Sequence, residues 1–367
     1  MQLRKLHIRN FKNLEDEVLE IDSGITCFVG ENGTCKTNLL DAIYYLSMCR
    51  SAVGQTESQC VKTGEDFFGL QAEYLDRNLR MQYLSATYTR QGKKCFKFND
   101  TSYTRLSDHI GVIPVVIISP MDNDLINDAA EQRRHFFDQF ISQIDRNYLR
   151  ALIRYSTALS QRNSLLKGNF TEEILSIYDV QLSHEADTIF RVRKDVIERV
   201  FPMLAQFYGV ISGHKERVSL AYRSALTKAP LTELLLECRE RDRVMQYTTQ
   251  GVHRDDFLFS INDVQLRKFG SQGQQKSFII ALKLAQSLIL SELSGEKPIL
   301  LLDDIFDKLD ETRVRNMMQI LSSGDFGQIF ITDCNHNRIK RVMDDINADY
   351  KIVDVEFGKI VREINAI

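Results

Sequence analysis

The segment ITCFVGENGTCKTNLLDAIYYL, residues 25–46, constrains the fold of this chain more than any other part of it. An apolar strand ends at Gly30, a turn-rich loop follows, and a helix opens at Lys36 and Thr37. The spacing G-x-x-x-x-G-K-[ST] is typical of loops whose backbone N–H groups, together with a helix N-terminus, converge on phosphate oxygens. The segment therefore predicts an α/β protein with a nucleotide-phosphate site.

In such a loop each residue type has a physical task. Lys36 is expected to neutralise the β- and γ-phosphates, and the Thr37 hydroxyl to ligate Mg²⁺. The residues predicted to contact the nucleotide are Gly30, Glu31, Asn32, Gly33, Thr34, Cys35, Lys36 and Thr37.

Cys35 departs from the pattern, which has glycine before the lysine. A side chain at a positive-φ position of this kind costs about 1–2 kcal/mol. The sequence leaves two outcomes open: nucleotide binding is weakened or lost, or the loop tolerates a small side chain.

A second motif, PILLLDDIFDKLD at residues 298–310, combines a buried strand with two carboxylates. It predicts that Asp303 holds Mg²⁺ through water. Asp304 would lie beside the γ-phosphate, where it orients the attacking water or accepts its proton.

A third motif, Ser-Gln-Gly-Gln-Gln at residues 271–275, opens a helix of about four turns. The N–H groups of Ser271, Gln272, Gly273 and Gln274 are predicted to form a second anion site. Because one chain needs only one γ-phosphate cradle, this second site would serve the nucleotide of another subunit.

Composition limits the class of protein. The 367 residues are 43% hydrophobic and 26% charged with a net charge of −3, which excludes a disordered chain and a histone-like binding mode. No unbroken apolar run of about 18 residues is present, so no membrane segment is expected. Seven cysteines without a C-x-x-C pair favour reduced thiols and a cytoplasmic location over disulfides or a zinc site.

Three regions differ in their periodicity. Residues 1–118 alternate like short strands, residues 119–245 have helical spacing, and residues 246–367 alternate strand and helix again. The expected domains are therefore a first half of a sheet-based head, an inserted helical arm and the second half of the head. Within the arm we predict one helix over 131–167, a second from Thr171 to about Tyr208 with a kink or break at Pro202, and a third over 231–245.

These motifs, in this order, resemble those of the ABC-type head ATPases of the SMC class. The details are similar to the bacterial RecF family of recombination mediators. The matching pieces span nearly the whole chain: R-N-F-K-N at 9–13, N-G-x-x-K-T-N-L-L-D-A-I at 32–43, S-P-x-D at 119–122, R-R-x-F-x-D at 133–138, H-R-D-D at 253–256, S-Q-G-Q-Q at 271–275 and Q-I-F-I-T-D at 328–333. An arm of about 120 residues without sustained heptads is too short for the coiled coil of an SMC protein.

The resemblance implies an ABC-type head, made of a mixed sheet and a parallel phosphate-loop sheet, with an inserted helical arm. It assigns Gly30–Thr37 to Walker A, Asp303 and Asp304 to Walker B, and Ser271–Gln275 to the signature that closes on the partner's ATP. Lys308, Leu309 and Asp310 correspond to the D-loop that crosses the dimer interface. Thr332 lies where transporters carry a switch histidine, and its role stays open.

The family's function is implied in the same way. Mg-ATP would drive homodimerisation on double-stranded DNA at single-strand gaps, and slow hydrolysis would reopen the dimer. The implied partners are the RecO and RecR mediators, which help to load RecA, and the implied activity is a weak, DNA-stimulated ATPase.

A DNA-contacting surface is suggested by the sequence itself. Arg146, Arg150, Arg154 and Arg162 are spaced to form a basic stripe along one helix face, suited to phosphate contacts that do not distinguish sequence. The alternative is a solvated face, or pairing with acidic residues.

Two rival functions remain. In the first, Cys35 abolishes hydrolysis or binding, and the chain is a nucleotide-independent platform for DNA or mediators. In the second, it is a monomeric P-loop NTPase acting on a small molecule, for which S-Q-G-Q-Q has no use.

Overall fold

The computed structural model describes residues 1–168, 170–307, 309–345 and 349–366. The strands are β1 Gln2–Phe11, β2 Leu14–Glu20, β3 Ile25–Val29, β4 Phe67–Leu75, β5 Met81–Thr89, β6 Lys94–Phe98, β7 Thr101–Ser102, β8 Val115–Ile118, β9 Val218–Arg223, β10 Asp256–Ile261, β11 Val264–Gln265, β12 Ile299–Leu302, β13 Ile329–Asp333, β14 Tyr350–Glu356 and β15 Lys359–Ala366.

The α-helices alternate with these strands. They are α1 Lys36–Met48, α2 Asp124–Asn127, α3 Ala130–Ser142, α4 Arg146–Leu166, α5 Glu172–Ser212, α6 Leu231–Glu237, α7 Arg239–Met245, α8 Leu266–Phe269, α9 Gln272–Ser294, α10 Glu311–Leu321 and α11 His336–Asp345. Short 3₁₀ turns lie at Leu106–Asp108, Pro120–Asn123, Ala225–Thr227 and Val252–Arg254.

The chain forms two compact units, which differ from the predicted domains. The head unit contains residues 1–122, 207–214 and 272–367, and the arm unit contains 123–206 and 215–271. The predicted arm boundary at 245 differs from this division because β10 pairs with β9 in an antiparallel register that joins Asp256 to Arg223. That pairing draws residues 246–271 into the arm unit.

The head unit contains two sheets, as the resemblance implied, but the expected mixed sheet is antiparallel throughout and the phosphate-loop sheet carries one antiparallel edge strand. One antiparallel sheet has the strand order β2-β1-β4-β5-β6-β7. The other has the order β15-β14-β3-β13-β12-β8 and is parallel except for the edge strand β15. The carboxyl ends of β3, β13 and β12 therefore meet at one edge, where ligands bind in open α/β sheets.

Helix α1 is fixed in the head by aromatic packing. The Tyr45 ring meets Phe11 and Phe68 edge-on, with centroids 5.8 and 5.3 Å apart, and all three side chains are buried. Edge-to-face pairs of this kind add about 0.5–1.5 kcal/mol each beyond area burial. The packing sets the position of Lys36 and Thr37 at the beginning of the helix.

In the arm unit the predicted helix over 131–167 is wrong. Two helices, α3 and α4, replace it, because the Asp145 carboxylate accepts hydrogen bonds from the N–H groups of Asn147 and Tyr148 at 2.8 and 3.0 Å. This N-cap starts a new helix at Arg146. The apolar spacing continued across the break and hid it.

The other predicted helices also need correction. Helix α5 is continuous through Pro202. Proline has no N–H to donate to the carbonyl four residues earlier, and because Pro202 lies on the exposed side of the helix, that carbonyl can bond water instead. The stretch 231–245 contains two helices, α6 and α7, which meet at Cys238.

A buried ionic network stabilises the arm unit and uses two of the sequence motifs. Arg193, which is 2% exposed, bonds Asp138 at 2.9 Å and Asp255 at 3.1 Å. Arg133 bonds Asp256 at 2.8 Å. The R-R-x-F-x-D and H-R-D-D motifs therefore hold the arm together rather than forming a catalytic centre.

Within the described residues, one helix is long and apolar enough to cross a bilayer. It is α9, and 72% of its most apolar window is buried inside the fold, as expected of a core helix.

Candidate nucleotide site

The phosphate loop has the geometry that its sequence predicted. It joins β3 to α1, and the Lys36 ammonium donates to the carbonyl oxygens of Gly30 and Glu31, both at 2.7 Å. Helix α1 begins at Lys36. The side chain of its N-cap residue, Cys35, accepts no hydrogen bond from the backbone of the helix. The Asn38 N–H donates to the Cys35 carbonyl at 2.9 Å, so the N–H groups of Lys36 and Thr37 are the ones in this turn that can meet an anion.

Two glycines are required here for different reasons. A Cβ on Gly30 would lie 2.2 Å from the Val355 backbone oxygen, so β14 approaches too closely for any side chain. Gly33 has open space around it but a φ of +84°, which L side chains rarely adopt.

Cys35 is in the left-handed conformation, with φ 77° and ψ 15°. The predicted positive φ is therefore present, and the loop adopts it with a thiol where glycine is usual. The side chain is partly exposed, and its sulfur lies 3.9 Å from the Gly33 oxygen.

The Walker B carboxylate reaches the beginning of α1. Thr37 Oγ1 donates to the two carboxylate oxygens of Asp303 at 2.9 and 3.1 Å, although 266 residues separate them. Both groups offer oxygen, the ligand that Mg²⁺ prefers, and Mg²⁺ is usually held by one or two carboxylates together with nucleotide phosphates. The described residues contain no cluster of three His, Cys, Asp or Glu side chains that would hold a metal alone. The residues present thus fit Mg²⁺ that arrives with a nucleotide.

Asp304 is held in a strained conformation beside Asp303. Its φ is +46°, and its N–H donates at 3.0 Å to the hydroxyl of Thr332, which in turn donates to Asp303 at 2.7 Å. Burial raises the pKa of both Asp303 and Asp304, and the neighbouring Asp303 charge raises that of Asp304 further. Thr332, whose role the sequence left open, orients the Asp303 carboxylate and holds the Asp304 backbone.

The signature turn lies at the beginning of α9, which starts at Gln272 and includes Gly273 and Gln274; Ser271 immediately precedes it. Asp310 caps α10 by accepting from the Arg313 N–H at 2.9 Å. Lys308, predicted to begin the D-loop, lies outside the described residues.

The predicted basic stripe on α4 is wrong at one of its four positions. Arg162 is fully buried, with its guanidinium 2.7 Å from both Asp179 and Asp242. Arg154 is exposed but forms a two-pronged pair with Glu185 at 2.6 and 2.8 Å. Arg146 and Arg150 are exposed. Arg162 is buried because its ion-pair partners, Asp179 and Asp242, lie in other helices that pack against α4.

Sequence reasoning also missed two contacts and a second set of cations. Lys276 and Arg313 bond the signature turn to the segment after β12. Neither residue belongs to a motif whose spacing in the sequence would have predicted these contacts. Arg191 and Lys194 are exposed on α5. That part of α5 runs alongside the beginning of α4, because Arg193 Nε lies 3.0 Å from the Tyr148 hydroxyl.

Comparison with known sequences gives consistent matches over the whole chain. A model described as the RecF/RecN/SMC N terminal domain matches residues 2–356. The DNA replication and repair protein RecF of Phocaeicola vulgatus is 43% identical, with 99% of this chain and 98% of the relative covered. That of Flavobacterium johnsoniae is 45% identical, with 97% and 100% covered.

Comparison with solved structures agrees with the predicted fold. A recombination mediator protein RecF bound to ATP in the RecFOR pathway has a TM-score of 0.88 at 31% identity, with 100% of this chain and 98% of that chain covered. An Smc head domain from Pyrococcus furiosus has a TM-score of 0.60 at 16% identity, with 100% and 96% covered, which shows the shared fold alone. The ABC-type head with an inserted helical arm is confirmed.

Proposed function

This chain belongs to the RecF/RecN/SMC N-terminal domain family, and within it to the RecF family of DNA replication and repair proteins, and we propose that ATP controls its residence on DNA. Two subunits would enclose Mg-ATP and duplex DNA at a single-strand gap, and slow hydrolysis would release them. The observation that carries the proposal is the bond from Thr37 to Asp303, which assembles a Walker A and a Walker B element from opposite ends of the chain.

Each residue of the site has a task in this proposal. The loop N–H groups and Lys36 bind the phosphates. Thr37 and Asp303 would hold Mg²⁺, which supplies charge neutralisation on the phosphate oxygens. Asp304, whose raised pKa makes it a better proton acceptor than an ordinary aspartate, orients the attacking water.

The second anion site supports a two-subunit arrangement. Helix α9 is 23 residues long, and its N-terminal turn carries Gln272, Gly273 and Gln274. A helix N-terminus favours negative charge, so this turn would close on the γ-phosphate of the ATP that the partner subunit holds. Asp310 would lie at the same interface.

Fewer arginines of the arm are available for contacts with DNA phosphates than the sequence suggested. Arg146 and Arg150 on α4, with Arg191 and Lys194 on α5, would contact the DNA backbone and carry no sequence preference. The solved RecF relatives are described as mediators in the RecFOR pathway, which supports RecO and RecR as partners here.

The test is the light-scattering mass of the chain with and without Mg-ATP, measured beside Cys35→Gly and Lys36→Ala. We expect the chain and Cys35→Gly to double their mass with Mg-ATP, and Lys36→Ala to stay monomeric because it lacks the phosphate-neutralising ammonium. If no form gains mass, the enclosed-ATP mechanism is wrong.

The platform alternative makes a different prediction in the same experiment. If only Cys35→Gly gains mass, the thiol prevents ATP-dependent dimerisation, and the chain acts without nucleotide. The left-handed conformation that Cys35 already adopts favours tolerance of the thiol.

A further inference from the structure

Two cations bond the signature turn of α9 to the segment that follows β12. The Lys276 ammonium donates to the backbone oxygens of Asp304 at 3.1 Å and Asp307 at 2.7 Å. The Arg313 guanidinium donates to the Gly273 oxygen at 3.3 Å and the Ser277 hydroxyl at 2.6 Å. Both contacts lie within the head unit. They join the carboxylate segment of one subunit's own site to the turn that would serve the partner's site.

The Asp304 peptide is held from both sides. Its N–H bonds Thr332, which also bonds Asp303, and its carbonyl accepts from Lys276. A left-handed conformation is unfavourable for a non-glycine residue, so Asp304 has a competing conformation of lower intrinsic energy. Leaving φ +46° would turn the carbonyl away from the Lys276 ammonium.

Arg313 adds a second connection at the other end of the same segment. Its Nε lies 3.2 Å from a carboxylate oxygen of Asp310, while its Nη1 bonds Gly273 and Ser277. One guanidinium thus spans the D-loop aspartate and the signature glycine. A movement of Asp304, Asp307 or Asp310 would be transmitted to α9 through these two cations.

We propose that Lys276 and Arg313 are positioning residues that couple the state of a subunit's own nucleotide site to the placement of its own signature turn. This inference rests on the proposed function for its consequence: ATP bound at one site would prepare the turn that closes on the other, so the two sites bind cooperatively. The coupling itself operates within one subunit.

A purely structural role makes a distinct prediction. Contacts between partly exposed groups stabilise a fold only weakly, and losing them would increase the mobility of the turn equally with and without nucleotide. Coupling instead predicts that nucleotide changes the dynamics of the turn only when the cations are present.

The experiment is hydrogen exchange of residues 272–280 at protein concentrations low enough to keep the chain monomeric, with and without the slowly hydrolysed analogue ATPγS and Mg²⁺. We compare Lys276→Met, Arg313→Gln and the conservative Lys276→Arg. The matched control is Arg315→Gln, which replaces an exposed arginine on α10, the helix that also carries Arg313. We expect nucleotide to change exchange in the original chain, Lys276→Arg and Arg315→Gln, and the change to disappear in Lys276→Met and Arg313→Gln.

A second readout measures the consequence in the dimer. The Hill coefficient for ATP-dependent dimerisation should fall toward 1 in Lys276→Met, with half-saturation rising about fivefold or more. Affinity for a fluorescent ATP analogue in the dilute monomer should stay within about twofold of the original, since the phosphate loop is unchanged.

The outcomes separate the two proposals. Exchange that does not respond to nucleotide in the original chain, or that responds equally in Lys276→Met, overturns the coupling. A response in the monomer without any ATP-dependent gain in mass supports the coupling and instead overturns the dimer mechanism proposed above.

Discussion

His253 shows how burial sets the chemistry of a single residue in the arm unit. Its Nε2 donates to the Thr248 oxygen at 3.0 Å, so its Nδ1 accepts from the Tyr155 hydroxyl at 2.7 Å. Burial lowers the pKa of His253 to about 4, because a charged imidazole would lose hydration there. The residue is a neutral structural connector.

The pKa of His253 predicts a pH dependence of stability. The unfolded chain binds the proton near pH 6.5 and the folded chain only near 4, so the free energy of unfolding falls as pH drops through that window. At pH 5 this group costs about 1–2 kcal/mol relative to pH 7. Urea unfolding followed by circular dichroism should show that His253→Gln reduces the pH 7 to pH 5 difference by this amount.

The control is His184→Gln, which replaces an exposed histidine of the same unit and should leave the pH dependence as it is. Equal pH dependence in the original chain and His253→Gln would contradict the assignment of His253 as a neutral, mostly buried imidazole.

At the scale of an element, helix α4 contains arginines with opposite roles. Arg162 is buried against Asp179 and Asp242, while Arg150, three turns away, is exposed. An amphipathic helix places residues at the same sequence spacing on one face, but burial depends on what packs against each part of that face. Charge spacing alone therefore predicts a stripe and not its accessibility.

This contrast predicts different effects of two substitutions in α4. Arg162→Met should lower the free energy of unfolding by about 3–5 kcal/mol, because it leaves the Asp242 carboxylate buried without its cationic partner. Arg150→Gln should change stability by about 0.5 kcal/mol or less but weaken DNA binding and reduce its salt slope by about 1. Denaturant titrations and DNA affinity at several salt concentrations measure both effects.

If Arg150→Gln leaves the salt slope unchanged, this face of α4 does not contact DNA. If Arg162→Met is as stable as the original chain, the buried pairs do not stabilise the arm.

At the scale of the whole molecule, the proposed dimer predicts how stability depends on concentration. A ligand that binds only the folded state adds about 2.7 kcal/mol at one hundred times its Kd, and an ATP-driven dimer also makes the melting temperature rise with protein concentration. We expect this concentration dependence with Mg-ATP and not with ATP plus EDTA, because Thr37 and Asp303 would hold the metal. Asp303→Asn should abolish it.

Calorimetry over a tenfold range of protein concentration makes this measurement. The control is Asp325→Asn, an exposed aspartate of the same unit, which should keep the dependence. A melting temperature that rises with nucleotide but never with protein concentration would indicate binding without dimerisation.

Local patterns in the sequence determined much of this protein. The phosphate loop, the buried carboxylate strand, the signature helix and the inserted helical arm all follow from residues close together in the chain, because turn chemistry, apolar period and helix-terminus electrostatics act over a few residues. Even the positive φ at Cys35 could be predicted, since that loop position requires it.

Features that depend on partners far away in the chain became visible in the folded structure alone. Asp145 started a new helix within a continuous apolar period, Asp179 and Asp242 paired with the buried Arg162, and pairing with β9 placed residues 246–271 in the arm unit. Thr332, Lys276 and Arg313 acquired their roles through hydrogen bonds to residues 28 to 40 positions away. Sequence spacing carries no information about such pairs, because their partners are chosen by packing, and a buried polar group must take whichever partner the fold brings within reach.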